Sequence, residues 1–376
     1  MVMVMRTMTL ADTLDQLTVE GELYEKLGDD KVRCYACGHR CVIFDGQRGI
    51  CKVRFNRGGK LLVPYGYTAG LQSDPVEKKP FFHVLPGADA LTFGMLGCDF
   101  HCSYCQNWLT SQALRNDVAG VAPHIVSAGE MVDTAQRLGS GLVVSSYNEP
   151  LITAEWAWAV FKLAKDAGLT TGFVSNGNAT PEALDHLRPL TDCYKVDLKS
   201  MRQKNYRELG GQLKHVLWTI EELHKRGFWV EVVTLVIPGF NDSNGELREA
   251  ARFIAGVSRD IPWHVTAFHK DYKMRDPDNT SVDTLIRAAE IGVEAGLHFV
   301  YAGNIPGGVG RWENTYCPQC QQLLIARTGY WIDAYHVTYE GRCPNCQTAI
   351  PGIWWSKEED RRQRASAFAH RVARVL

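Results

Sequence analysis

The chain reads as an α/β protein, an incomplete (β/α) barrel of six or so units, and three observations lead there. Apolar runs of strand length recur through its middle, helix-like stretches lie between most of them, and the residues suited to chemistry follow the C-terminal ends of the runs. In a parallel barrel those ends share one face, so separate loops converge on one pocket.

The apolar runs are 90–96, 142–145, 171–174, 194–198, 230–237, 264–268 and 298–301. Helical patterning covers 155–167, 213–226, 246–257 and 282–295, with Gly168, Gly227 and Gly296 at the ends of three of these, as helix C-termini favour. A loop of three cysteines follows the first run, Asn148 and Glu149 the second, and Ser175 and Asn176 the third. Asp197 and Lys199 end the fourth, Pro238 and Gly239 the fifth, His269 the sixth, and Asn304 follows the last. Asp197 and Lys199 alternate around Leu198 and therefore point to one side of a strand; if that side faces the interior, they pair or touch a ligand. Ser175-Asn176-Gly177 has a second reading as a plain strand-ending turn, and Glu149 as a solvated loop charge.

At 376 residues the chain has room for one large domain with appendages. Lys+Arg at 41 against Asp+Glu at 42 leaves a formal charge of −1, so no overall basic field argues for nucleic acid, and a small-molecule or protein substrate is favoured. The N-terminus lacks the uninterrupted apolar core of a signal peptide, and no stretch reaches the length of a membrane span. A cytoplasmic protein is expected, in which twelve cysteines serve metals rather than disulfides.

Eleven of those cysteines fall into three groups, and Cys193 alone, beside an apolar run, reads as a packing residue. In GCDFHCSYCQNW, Cys98, Cys102 and Cys105 are spaced by three and then two residues. Three thiolates on one short loop hold a cubic iron-sulfur cluster by three of its four irons and leave the fourth open. A zinc knuckle would use paired C-x2-C spacing, and a disulfide scheme would leave one cysteine over. Upstream, Gly46 and Gly49 mark a reversal that folds Cys51 back toward Cys34, Cys37 and Cys41, a four-thiolate set read first as zinc. A second iron-sulfur cluster, His39 replacing a thiol, or a set in which some of the thiols are free are the alternatives there. Downstream, Cys317-Pro-Gln-Cys320 and Cys343-Pro-Asn-Cys346 read as two knuckles of a zinc ribbon, with an auxiliary iron-sulfur cluster as competitor.

The cysteine loop, with Tyr104 just before its last cysteine, matches the signature of the radical S-adenosylmethionine (SAM) superfamily. Together with CYACGHRCVIFDGQRGICKVRFNRGGKL, DPVEKKPFFHVLPG, SYNEP, SNG, VDLKS, TLVIPGFND and YAGNIPG, it resembles the pyruvate formate-lyase activating-enzyme branch, and within it the AmmeMemoRadiSam system radical SAM enzymes. The resemblance implies the radical SAM fold, a [4Fe-4S] cluster at Cys98, Cys102 and Cys105, and SAM whose cleavage yields a 5′-deoxyadenosyl radical that abstracts hydrogen. It matches Tyr147-Asn148-Glu149-Pro150 to a Gly-Gly-Glu-Pro motif holding the SAM amino group, with tyrosine and asparagine where the family has glycines. It puts Ser175 and Asn176 near the ribose and methionine, Asp197 and Lys199 in contact with SAM or substrate, and His269 close to SAM, where a rim histidine is the plain alternative; Asn304 is weaker still. It implies a low-potential donor, ferredoxin or flavodoxin, and kinship with systems containing Memo-like and AMMECR-domain proteins. Residues 80–87 match no role, and Glu77, Lys78 and Lys79 read as a charged loop more than as the mouth of a pocket.

The expected organisation is an N-terminal extension over 1–30, a four-cysteine metal-binding module over 31–60, the partial barrel over 61–312, a zinc-ribbon-like module over 313–352 and a C-terminal helix over 353–376. In that helix Ser356 and Glu359 have capping-box spacing, and Phe368, Val372 and Leu376 share a face suited to docking, despite Arg361, Arg362 and Arg364. Three functions are expected in order: SAM cleavage directed at a small molecule or peptide, activation of a glycyl-radical protein, and a zinc-rich scaffold without catalysis.

Overall fold

Each apolar run becomes a parallel strand, and an eighth strand, antiparallel, borders them. The computed structural model describes residues 8–358. Strands β1 (Gly70–Pro75), β2 (Asp89–Gly94), β3 (Leu142–Ser145), β4 (Thr170–Ser175), β5 (Cys193–Asp197), β6 (Trp229–Val236), β7 (Trp263–Ala267) and β8 (Val300–Gly303) form one sheet in the order β8-β7-β6-β5-β4-β3-β2-β1. β2 to β8 are all parallel, with helices between them, the partial barrel expected from the sequence. Ser145 of β3 stands opposite both Phe93 of β2 and Phe173 of β4, so the loops after these three strands leave at one level.

The helices Ala154–Asp166, Leu213–Lys225, Asn244–Val257 and Val282–Glu294 lie where the periodicity put them. Gly168, Gly227 and Gly296 follow three of them with φ of +74°, +75° and +95°, the left-handed conformation that closes a helix with little strain in glycine. Ala128–Arg137, Pro181–Leu187 and Gln203–Leu209 are helices that the apolar pattern did not single out; the first is opened by a Ser127/Glu130 capping box. β1 also escaped notice, because Gly70, Ser73, Asp74 and Pro75 are poor strand formers. It pairs antiparallel with β2 along one edge of the sheet, where such residues are tolerated.

Of the expected N-terminal extension over 1–30, the described residues 8–30 are not a separate unit. After helix Leu10–Gln16, Thr18–Glu20 pairs with Lys60–Pro64, and Tyr24–Leu27 pairs with Lys31–Cys34. The four-cysteine module thus begins well before residue 31. It is fastened to the barrel by Arg54, whose guanidinium meets both Glu155 oxygens at 2.7 and 2.8 Å, both side chains being buried. Glu155 also accepts from the backbone of Glu22 and Leu23.

Residues 80–87, without a role in the sequence, close the barrel at the N-terminal ends of its strands. Glu231 of β6 is fully buried and accepts from the Phe82 and His83 backbone N–H groups, the Trp229 indole and His264, at 2.6–3.0 Å. The His83 ring joins Pro351 O and the Tyr301 hydroxyl, each at 2.7 Å. The C-terminal module docks on the same segment: its strands Thr315–Tyr316, Leu323–Thr328 and Trp331–Tyr335 form an antiparallel sheet, from which Arg327 donates to Phe82 O at 2.8 Å. Ile353 bridges to Val84 in extended backbone and Trp355 donates to Pro86 O, so the chain after 352 starts as a strap on the barrel rather than as a helix. The capping Glu359 and the proposed docking face of Phe368, Val372 and Leu376 lie outside the described residues.

Replacing Arg54 with alanine leaves the Glu155 carboxylate buried without its counter-charge, so chemical denaturation of R54A should show a loss of about 3–5 kcal/mol in stability.

Candidate active site

Loop placement begins with Gly97. Its φ is +91°, and a Cβ there would lie 2.8 Å from Val53 and 3.0 Å from the Cys51 carbonyl oxygen, so the chain turns against the N-terminal module at a position only glycine fits. The turn delivers Cys98, Cys102 and Cys105 into one cavity of about 420 Å³, which they line together with Tyr104. The Phe100 backbone N–H donates to Cys98 Sγ at 3.4 Å, and Ser111 Oγ lies 3.2 Å from Cys105 Sγ. Arg115, unmarked by any sequence signal, grips the loop from behind through Cys98 O (2.9 Å) and Phe100 O (2.7 Å) and reaches Ile50 O of the module at 2.7 Å. Burial pushes the Cys102 thiol up to about 12, with Lys199 opposing and the Cys105 and Asp197 charges adding to the shift. A bound cation is the natural means of keeping such a thiol ionised.

Asn148, Glu149, Ser175, Asn176, Asp197 and Lys199 line the same cavity. Glu149 Oε1 accepts from Ser175 Oγ at 2.7 Å and from Leu151 N at 3.1 Å, and Oε2 from Asn176 N at 2.7 Å. Burial, reinforced by the Asp99 charge, raises Glu149 to about 8. Its three donors leave acceptor capacity on a carboxylate, and an arriving ammonium would favour the ionised form. Asn148 has its side chain engaged with Met95 N (3.0 Å) and Glu149 O (3.2 Å), so it shapes the loop.

Tyr147, where the resembled motif has glycine, shows why glycine belongs there: its φ is +69°. That conformation costs about 1 kcal/mol or more for a side-chain-bearing residue. Its ring occupies space left by Gly70 and Gly94, and its hydroxyl meets Lys79 Nζ at 3.1 Å.

Asp197 lies between two ammoniums, in close contact with Lys195 and 3.1 Å from Lys199 Nζ. Burial alone would raise its pKa; Lys195 and Lys199 outweigh that effect and hold Asp197 down at about 2. Lys195 was legible in principle, since residues 195, 197 and 199 share one face of β5 and its extension.

Asn304 lines the cavity and donates to Ala267 O at 2.9 Å. His269 differs: it is exposed, contacts the Gln106 amide of the cysteine loop at 2.8 Å, and is not among the lining residues. The reading of 77–79 as a solvated loop is corrected, because Glu77 and Lys79 are buried and line the cavity with Lys78, Phe82 and, from the C-terminal module, Tyr330. The open side of the barrel, between β1 and β8, brings these distant segments to the pocket.

The two cysteine quartets differ in geometry. Cys317, Cys320, Cys343 and Cys346 bring their sulfurs within 4.8 Å of one another, close enough to surround one ion. Cys34, Cys37, Cys41 and Cys51 instead line a small cavity together with Arg40 and Arg54. Cys193 is fully buried, as a packing residue should be, with Sγ 3.4 Å from Thr171 O.

The model of the radical SAM superfamily matches residues 93–254. An uncharacterized protein of Methanocaldococcus jannaschii is 36% identical over 331 residues, covering 87% of this chain and 96% of its own. Pyruvate formate-lyase 1-activating enzyme of Escherichia coli K12 is 26% identical over 196 residues, 49% of this chain and 78% of that enzyme. A domain of pyruvate-formate lyase-activating enzyme from Bacteroides vulgatus, of known structure, superposes with a TM-score of 0.40 at 21% identity, over 44% of this chain and all of that domain. The chain thus belongs to the radical SAM superfamily, a family of enzymes that work with a [4Fe-4S] cluster and S-adenosylmethionine.

Proposed function

We propose that this enzyme reductively cleaves SAM and directs the resulting 5′-deoxyadenosyl radical at a hydrogen atom of a small molecule or peptide held in the same cavity. One observation carries the reading: three cysteines, a buried glutamate and a lysine-flanked aspartate, drawn from separate loops, line one void of about 420 Å³. The donor set fits the family's cofactor, since Cys98, Cys102 and Cys105 are the only cysteines lining that void. A [4Fe-4S] cluster held by these three thiolates supplies one electron and an open iron for the amino and carboxylate groups of SAM.

The chain's own residues do the rest. Glu149, oriented by Ser175 and the Asn176 N–H, accepts from the N–H groups of the SAM amino nitrogen. Lys199, with Asp197 fixing its position, offers an ammonium to a carboxylate, while Lys195 keeps Asp197 ionised. Tyr104, buried and edge-on to Phe240 at 6.0 Å, holds the cysteine loop against the barrel wall. Ser175 and Asn176 border the ribose, and His269 acts at the rim, through Gln106. Electrons come from a low-potential ferredoxin or flavodoxin in a cytoplasmic setting, in keeping with the low potentials such clusters reach.

Similarity to the E. coli activating enzyme, and to a putative glycyl-radical enzyme activating enzyme of M. jannaschii at 25% identity over 212 residues, favours a second reading as a glycyl-radical activase. The small-molecule or peptide reading is preferred because this chain flanks its barrel with two cysteine modules and walls the cavity with Tyr330 from one of them. Membership in an enzyme superfamily, with the three cysteines intact, sets the scaffold reading aside. The AmmeMemoRadiSam motifs support association with Memo-like and AMMECR-domain proteins. Cys317, Cys320, Cys343 and Cys346 are proposed to hold a structural zinc.

Anaerobic incubation with dithionite and SAM should yield deoxyadenosine from the intact enzyme and only background from C102A; background levels from both would end this reading. A deuterated extract then separates the two versions: label passing into deoxyadenosine from a metabolite or peptide supports the first, and an EPR-visible glycyl radical on a partner protein supports the second. E149Q, removing a charge-assisted contact, should weaken SAM binding by roughly tenfold to a hundredfold in equilibrium titration of the cluster-loaded protein. Metal analysis of C343S should show about one zinc per chain fewer than wild type, with cluster iron unchanged.

A further inference from the structure

The two quartets of cysteines are alike in number and unlike in shape. Around one zinc ion, with sulfur about 2.3 Å from the metal, tetrahedral thiolates stand roughly 3.8 Å apart. The C-terminal quartet has that form: Cys317 and Cys346 sulfurs are 3.5 Å apart, Cys320 and Cys343 3.6 Å, and all four lie within 4.8 Å. Among the described residues it is the one set of three or more His, Cys, Asp or Glu whose ligand atoms come that close.

In the N-terminal quartet no three sulfurs lie within 4.8 Å of one another. Cys34 N donates to Cys41 O at 2.9 Å, which sets these two side by side. The reversal closed by Gly49 N to Arg54 O (2.8 Å) brings Cys51 back to them. The four cysteines line a void of about 10 Å³, shared with the apolar Ala36, Ile43, Ile50 and Ile152, with Gly49 and with the arginines Arg40 and Arg54. Such a void holds about one water-sized sphere, which sulfurs in contact around a single ion would not leave. In an iron-sulfur cluster the thiolates sit on different irons and stand farther apart than around one ion. The catalytic trio shares this looser spacing. A tetrathiolate cluster is anionic, and two guanidinium groups line the void, Arg40 paired with Glu182 and Arg54 with Glu155.

The module lies directly against the catalytic loop. Cys51 O would be 3.0 Å from a Cβ on Gly97, the residue before Cys98. Arg115 binds Ile50 O and Cys98 O with one guanidinium, at 2.7 and 2.9 Å. Gly38, next to Cys37, donates to Asn178 O at 2.7 Å, while Asn178 holds Asp99, next to Cys98, at 2.8 Å.

From this geometry we infer that Cys34, Cys37, Cys41 and Cys51 hold a second iron-sulfur cluster, immediately beside the one at Cys98, Cys102 and Cys105. The inference goes beyond the proposed function and relies on it only for the first cluster. The test is metal and sulfide analysis with EPR on the full chain purified anaerobically, comparing wild type, C98A/C102A/C105A and C41S. The triple variant, whose N-terminal module is untouched, should keep about half the iron and sulfide of wild type and give a cluster signal after dithionite. C41S should lose about half the iron while its remaining signal still shifts on adding SAM. Fully reduced wild type should show a signal broadened by spin coupling that neither variant shows. A triple variant that contains zinc and no iron, or a C41S protein with undiminished iron, overturns the inference. Wild type that carries both clusters and forms no deoxyadenosine would instead sink the functional reading and leave this one standing.

Discussion

A single buried carboxyl group, Asp99, ties the catalytic parts together. Its two oxygens accept from the side-chain amides of Asn176 and Asn178 at 2.7 and 2.8 Å, with His39 of the N-terminal module at 3.9 Å, and it has no exposure to solvent. A buried carboxyl group needs partners, and here both hydrogen bonds come from the loop after β4, with His39 of the module nearby, so the demand of Asp99 for hydrogen bonds joins the cysteine loop to the loop after β4. The same Asn176 presents its backbone N–H to Glu149. Through this residue the position of the cysteines is coupled to that of the carboxylate proposed to receive SAM.

Leaving the barrel open has two structural consequences. With β1 and β8 as free edges, the cavity has a side entrance, and residues far apart in sequence fill it: Glu77 and Lys79 from one edge, Tyr330 from the C-terminal module. At the opposite end Glu231 satisfies four donors at once and anchors the plug of residues 80–87, on which the C-terminal module rests. The floor is thus polar inside, with both Glu231 oxygens paired, which suits a rigid base beneath the pocket.

The chain displayed much of this before any coordinates. The seven parallel strands follow from apolar runs, and the three cysteine groups from spacing alone, because both signals are local. Lys195 was missed although it shares the face of Asp197 and Lys199, since it sits inside an apolar run and its value lies in a pairing across one strand face. β1 was missed because an edge strand tolerates Gly, Ser, Asp and Pro, which erase the apolar signal. Glu77 and Lys79 looked like solvent charges because nothing in DPVEKKP announces a partner such as Arg327 or Tyr147, which lie far along the chain.

By itself, then, the sequence determined the order of the seven parallel strands and of four helices between them, the grouping of eleven cysteines and the loops carrying the chemistry. These depend on periodicity and on ligand spacing within a few residues. Only the folded chain decided which charges are buried, how the N-terminal quartet stands against the catalytic loop, and that residues 80–87 plug the barrel. Burial and sulfur-to-sulfur distance arise from contacts between segments tens to hundreds of residues apart, and no local pattern encodes them.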